Sequence, residues 1–401
     1  YADVTATDLD PRTRILVIAA LGVTQNIGYG TLYYSFSVLA PAMAHDFSWP
    51  VEWIFGALSS ALLVGGFCAP KLGQLIDRHG PPRMMTAGSV IAALSLLFCA
   101  AGREPATFLV GLVVSQVIST LVQYNAAFAL LVWLDARRAQ RNITYLTLIA
   151  GFASTMFWPL TSALQGVLTW REIYVIFAGM HLLACLPVHA ALARLRPVAP
   201  TPLHGVASIE TGILPEDKRR LAFALMVIGF ALTAFINAAV LIHMLPLLGA
   251  VGAGAASVLI GTVFGPAQVL SRLINMIFGA ELPALTLAII GATFLPLALV
   301  TLVLTAPGLP GALAFSVLFG LGSGLNSIIQ GTLPLALFGR AGYAQLLGRI
   351  SAVRLVVSAA APFLFAFAMA NFGAKAALTL SIVLGSGAVA AFACVGRQQR
   401  R

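Results

Sequence analysis

Apolar runs of about 20 residues or more recur along the whole chain, each long enough to cross the ~30 Å hydrocarbon core of a bilayer as a helix. A soluble domain of 401 residues that is 60% hydrophobic and 9% charged would expose massive apolar surface. The mean hydropathy of +0.96 points the same way. The chain therefore reads as an all-α polytopic membrane protein. Its first run, "RILVIAALGVTQNIGYGTLYYSFSVLAPAMA", is too long and too polar in its middle to be a removable leader.

The runs divide into twelve transmembrane helices, expected at 13–43, 51–72, 84–101, 106–134, 142–168, 173–193, 220–247, 254–278, 283–305, 310–337, 345–370 and 375–395. The stretch "RLRPVAPTPLHGVASIETGILPEDKRR" is the only long polar segment and separates two sets of six. The expected organisation is a six-helix bundle at 1–193, a cytoplasmic linker at 194–219 and a second six-helix bundle at 220–401, related by pseudo-symmetry as in a transporter built from repeats.

Basic residues set the orientation. With the amino terminus in the cytoplasm, eighteen of the 23 lysines and arginines fall on the inner side, and only Arg103, Arg171 and Lys375 on the outer. That asymmetry places both termini inside, in the cell (inner) membrane. The +10 net charge is scattered over short loops and not gathered in one domain, which argues against nucleic acid as a partner. The lipid bilayer is the implied surrounding, and a monomer is expected.

The four cysteines, Cys68, Cys99, Cys185 and Cys394, all fall within helices at spacings that match no metal site. There is no nucleotide-binding loop, no HExxH and no Ser/His/Asp set. No cofactor, metal or enzymatic activity is expected, and a primary pump would lack its motor.

After the second helix the chain reads "GQLIDRHGPPR". Gly73, Leu75, Asp77, Arg78, Gly80 and Arg83 match the Gly-x-Leu-x-Asp-Arg-x-Gly-x-x-Arg loop, and the chain resembles the major facilitator superfamily in this loop, in its twelve helices and in its mid-chain linker. The glycines permit a tight turn, and Asp77 can receive a neighbouring helix amino terminus. The resemblance implies that this loop is a latch for the outward-open state. "FWPLTSALQGVLTWREIY", with Pro159, Leu160, Trp170, Arg171 and Tyr174, is similar to a pattern of the monocarboxylate porters and the oxalate/formate antiporters. That likeness implies a substrate-facing arginine in the eighth helix, here Arg272, and a second cation in the eleventh, here Arg354. Two departures stand beside it. The aromatic and acidic first-helix signature of monocarboxylate porters is not reproduced by "QNIGYGTLYY", and Gln268 stands where many of them carry an acid, which leaves the coupling ion open.

All thirteen acidic residues fall in loops, tails or helix ends. The membrane interior thus holds Arg272 and Arg354 and no carboxylate, and a buried ionised cation calls for dense hydrogen bonds, water or a visiting anion. If Gly279 ends the eighth helix as Gly73 ends the second, Arg272 lies seven residues in, about 10 Å deep. Gln268 and Asn275 share its face, and Ser351 and Ser358 share that of Arg354. Further lining candidates are Gln25, Tyr29 and Tyr33 on one stripe of the first helix, Asn125 in the fourth, Asn237 in the seventh, and Asn326 and Gln330 in the tenth. Each serves equally as a helix–helix hydrogen bond. His243 is the candidate proton relay of the second half. The leading reading is a secondary transporter of a small organic anion, as proton symporter or anion exchanger. An efflux carrier for amphipathic drugs or metabolites and a non-transporting membrane receptor are the alternatives.

Overall fold

The structure, a computed structural model, describes residues 10–196, 214–279 and 282–400. The described residues are mostly helical and contain no strand. Among them, ten helices are long and apolar enough to cross a membrane. One of these, 56 residues in length, bends at Gly373 (φ 83°, ψ 162°) and so makes two arms, and Ser257–Phe278 adds a further helix of 22 residues. The count is consistent with the twelve expected.

In chain order the segments are α1 (Pro11–Phe47), α2 (Val51–His79), α3 (Pro81–Ala101), α4 (Pro105–Leu134), α5 (Ala139–Gln165), α6 (Trp170–Leu192), α7 (Arg219–Ile242), α8 (Ser257–Phe278), α9 (Ala284–Thr305), α10 (Leu309–Phe338), α11 (343–372) and α12 (374–400). The starts follow ordinary capping chemistry. Asp10 accepts from Thr13 N at 3.2 Å ahead of Pro11, and Thr169 and Glu172 form a reciprocal capping box at α6. Most of the expected polar linker 194–219 lies outside the described residues.

The described chain clusters into two compact units. One holds α1–α6 together with Arg340–Ala352, the start of α11; the other holds α7–α10 and the chain from Val353 onward. Within lipid there is little hydrophobic drive between helices, so close packing rests on small residues and hydrogen bonds. In the second unit, a Cβ at Gly320 or Gly324 of α10 would fall 2.6 Å from Phe264 O and 2.3 Å from Gln268 O of α8. Those two glycines let α10 lie backbone to backbone against α8. The core of that unit is built from Ile236 and Val240 of α7, Leu295 and Leu299 of α9, Phe315 and Phe319 of α10, and Phe365 of α11.

Three local departures from the expected helices matter for function. First, α2 does not stop at 72: it carries "GQLIDRH" as helix to His79, and Gly80 (φ 88°) alone joins it to Pro81, the first residue of α3. The tight turn is therefore the work of Gly80, where the left-handed backbone favours glycine, and not of Gly73. Second, α1 contains a π-helical turn at Gly30–Tyr34 and α6 another at His181–Cys185. Third, α4 is broken at Gln123, whose extended backbone (φ −98°, ψ −163°) interrupts the run expected to be continuous.

Asp46, at the end of α1, forms an ion pair with Arg171 and accepts from Trp170 Nε1 at 3.0 Å. Arg171 also donates to Gly102 O at 2.8 Å and lies 4.3 Å over the Trp170 ring. The motif that resembles the monocarboxylate porters thus staples α1, α6 and the α3–α4 loop together. Both ionic side chains are partly exposed, at 27% and 41%. Asp46→Asn is accordingly expected to cost about 1 kcal/mol, read as a fall of a few degrees in the unfolding temperature of purified protein.

Candidate functional site

Arg272 lies six residues before the end of α8, about 9 Å from it along the axis, and is 5% exposed. The face it shares is polar and turned inward: Ser271 and Asn275 are buried, and Gln268 is half-buried. Arg272 Nε donates to Gly324 O of α10 at 3.4 Å, an approach that the glycine crossing makes possible. Asn275 Oδ1 is buried with no hydrogen-bond partner among the described residues, so that face holds an acceptor still open to a donor. Gly279 does end α8, as expected.

The other candidates of the second unit scatter. Arg354 is half-buried, eleven residues into α11, about 16 Å along its axis and close to its middle. Asn237 is engaged between helices, donating to Thr233 O at 2.9 Å and accepting from Ser323 Oγ of α10. Asn326 and Gln330 are half-buried, one turn apart on α10. His243 sits at the kink after α7, with Nδ1 3.0 Å from Ala239 O and its ring 5.4 Å from that of Phe365. Twenty-four residues along, it is about 36 Å from the start of α7 and so far from mid-helix.

In the first unit the expected stripe of Gln25, Tyr29 and Tyr33 does not form, because the π turn beginning at Gly30 shifts the helical phase of the later residues. Gln25 is 0% exposed and donates to Val122 O of α4 at 2.8 Å, which makes it a bond between helices. Tyr29 packs against Tyr124 at 4.7 Å between centroids, while Tyr33 is 46% exposed and meets Tyr34 edge-on at 5.3 Å. An aromatic run results: Phe128 stacks on Tyr124, Tyr124 meets Tyr29, Tyr29 meets Tyr34, and Tyr34 meets Trp158 edge-on at 6.0 Å. Trp158 Nε1 donates to Tyr34 O at 3.1 Å. A stripe read along one helix carries no sign of a run that crosses α4, α1 and α5.

The residues expected to form a latch are brought together most fully. The Asp77 carboxylate accepts from Ala344 N at 3.1 Å and from Gln345 N at 2.8 Å, the unsatisfied donors of the first turn of α11. Gly73 lies against the same element: a Cβ there would be 2.3 Å from Ala344 O. The relation is reciprocal, since a Cβ at Gly348 would be 2.3 Å from Ala69 O. One turn beyond, Ser351 exchanges hydrogen bonds with Asn125 of α4 at 3.0 and 3.2 Å. Arg78 and Arg83 flank Gly80 and are exposed. Gly348 and Ser351 escape a sequence reading as partners of this motif, because their spacing along the chain carries no trace of the contact.

Each of the nine acids among the described residues caps a helix or lies in a short loop or in a first or last turn. Among the described residues no cluster of His, Cys, Asp and Glu is placed to hold a metal ion.

The fold is that of several solved carriers. The human organic anion transporter MFSD10 (TETRAN) superposes with a TM-score of 0.71 at 15% identity, covering 96% of this chain and all of that one. The transporter FucP in the outward conformation gives 0.70 at 13% identity over 96% and 99% of the two chains. The proton:xylose symporter XylE gives 0.69 at 13% identity over 95% of each. At such identities the likeness is one of fold. No curated protein sequence matches. The sequence model of the Major Facilitator Superfamily matches residues 22–362. With that match spanning most of its length and the helices to bear it out, this chain belongs to the Major Facilitator Superfamily.

Proposed function

We propose that this chain is a secondary active transporter of a small organic anion, monocarboxylate- or dicarboxylate-like, working by alternating access as a proton symporter or anion exchanger. Carriers of anions and of sugars share its fold, so the fold alone does not choose between them. Arg272 carries the choice. A guanidinium buried in a membrane helix is costly, by ~2.5 kcal/mol or more at the helix centre, and its planar fork of donors suits carboxylate oxygens better than a neutral solute. Asn275 and Gln268 supply polar groups beside it, and Arg354, near the middle of α11, is a second cation for a dianion. Substrate binding near the bilayer midplane and rocking of two six-helix halves, 1–193 and 220–401, is the cycle this implies.

The Asp77 contact supports the latch reading. On the basic, cytoplasmic side, the carboxylate holds the start of α11 against α2 and α4 and so favours the state closed to the cytoplasm. Because Asp77 is exposed, Asp77→Asn is expected to shift that balance by about 1 kcal/mol, roughly fivefold. Initial transport rates should fall accordingly while substrate affinity stays within about twofold. Unchanged rates would show that the contact is no latch.

A second reading, an efflux carrier for amphipathic compounds, draws on the aromatic run of Tyr29, Tyr34, Tyr124 and Trp158. A thermal-shift screen of the purified protein against carboxylates, inorganic anions and amphipathic cations separates the two. Stabilisation by carboxylates is expected. Stabilisation by organic cations alone would favour the efflux carrier.

A further inference from the structure

Three neighbouring helices of the first unit are interrupted within about 10 Å of one level along their axes. α1 takes its π turn at Gly30–Tyr34, where Ser35 N donates to Gly30 O five residues back. α6 takes its own at His181–Cys185, and Thr31 of the first turn meets His181 of the second at 2.9 Å between Oγ1 and Nε2. In α5 the helix gives way at Gly151 and Phe152, where Phe152 N donates to Ile149 O at 3.3 Å, three residues back. Turns of this kind recur at functional sites, and non-helical backbone within a membrane persists only where its freed groups find partners. Here they do: Asn26 Nδ2 donates to Ile149 O at 3.2 Å, and Trp158 Nε1 to Tyr34 O at 3.1 Å.

The register of α1 against α5 shows what the π turn does. Below it, a Cβ at Gly22 would lie 2.5 Å from Ile149 Cγ2; eight residues further along both helices, a Cβ at Gly30 would lie 2.2 Å from the Phe157 ring. Both pairs differ by 127 in residue number, so the helices run parallel and in step. Beyond the π turn, Ser35 Oγ meets Thr161 Oγ1 at 2.7 Å, a difference of 126. The π turn thus holds one residue more than α5 spends over the same length, and the two helices are tied to each other both below and above it.

Above the interruptions α1, α5 and α6 hold one another. Phe157 meets Phe177 of α6 edge-on at 6.1 Å, Asp46 pairs with Arg171, and the Phe47 ring lies 5.8 Å from that of Trp170. These outer segments meet the rest of the unit mostly through apolar rings: Phe36 on Phe55 of α2, and Phe47 and Trp170 on Phe108 of α4, at 5.1 to 6.1 Å. The Arg171 bond to Gly102 O is the polar contact among them. Apolar contacts are non-directional and accommodate the small sliding of packed helices. Below the interruptions, Asp77 and Gly73 pin the inner ends to the start of α11.

We propose that the first bundle is hinged at these three turns, so that segments 35–47, 153–165 and 170–180 swing as one piece and gate access from the outer side, while the inner half keeps its packing. The gate rests on the reading of the chain as a carrier and not on which solute it carries.

The test is double electron–electron resonance between nitroxide labels, on protein freed of its four cysteines and held in lipid nanodiscs. Trp53→Cys at the start of α2 and Val175→Cys on the swinging piece make one pair; Leu16→Cys and Leu75→Cys, below the interruptions, make the control, and all four positions are exposed. The α1 segment of 13 residues is an arm about 20 Å long, and a tilt of about 15° carries its tip about 5 Å. The first pair should therefore show a second distance, or a shift on adding lactate or oxalate, of about that size, while the control keeps one distance. One narrow distance for both pairs, unmoved by either anion, would overturn the hinge. Equal spread in both pairs would also overturn it, since the whole bundle would then be loose.

Deletion of Leu32 removes the extra residue and returns Ser35 and Thr161 to the step kept below. It should leave the first pair with one distance and abolish counterflow of lactate or oxalate in proteoliposomes. A second distance that survives in the folded deletion variant would overturn the part given to the π turn; should the deletion prevent folding, the distances in the undeleted protein decide alone. A second distance there with counterflow of neither anion would uphold the hinge and remove the anion reading.

Discussion

Arg272→Gln is expected to weaken carboxylate binding at least about 30-fold, the equivalent of about 2 kcal/mol, the lower end of what removing one partner of a desolvated charge pair costs. The substitution keeps a polar, though shorter, side chain but removes the charge and the forked donor geometry. It also removes the Nε bond to Gly324 O, a long one at 3.4 Å, while relieving the chain of a buried cation. Arg272→Lys, which restores charge without the fork, should recover only part of the affinity, because an ammonium cannot engage both carboxylate oxygens in one plane. A thermal-shift titration of each variant measures this directly. Recovery to wild-type affinity by lysine would show that Arg272 acts through charge alone.

Gly348→Val is expected to abolish transport while leaving carboxylate binding within a few-fold of wild type. At Gly348 and at Gly73, the atom that an added Cβ would meet at 2.3 Å is a backbone oxygen of the other helix. No rotamer change relieves that overlap, so the start of α11 has to move away from α2. In doing so it strips Asp77 of both its amide donors and separates Asn125 from Ser351. Asp77→Asn weakens one of these terms; Gly348→Val removes them together, which is why its expected effect is the larger. Gly348→Ala should lie between the two. Uptake by proteoliposomes, set beside a thermal-shift titration of the same preparation, separates loss of cycling from loss of binding. Wild-type uptake by Gly348→Val would mean that this helix crossing plays no part in the cycle.

The membrane-spanning architecture was legible because hydropathy reports the solvent of each segment, and a bilayer imposes one length on all of them. Features that depend on tertiary contact were not. Glycine serves both left-handed turns and close helix approach, so Gly73 reads as a turn residue, although Gly80 makes the turn and Gly73 makes the approach. Gln25 reads equally as a lining residue or as a bond between helices, and only the structure shows its amide joining α1 to α4. The stripe of Gln25, Tyr29 and Tyr33 assumes an unbroken α-helical period, which the π turn at Gly30–Tyr34 interrupts. Arg272 was legible for the opposite reason. Its cost in lipid is a property of the residue itself, and the same face places Gln268 and Asn275 beside it whatever its neighbours.

The most direct test of an anion carrier built around Arg272 is counterflow into proteoliposomes preloaded with unlabelled lactate or oxalate, using the same radiolabelled anion outside, for wild type and Arg272→Gln. Counterflow needs no proton gradient and no knowledge of the direction of transport in the cell. Wild type should accumulate label transiently with at least one of the two anions, and Arg272→Gln should stay at the level of empty liposomes. Counterflow that survives in Arg272→Gln would contradict the role assigned to this residue.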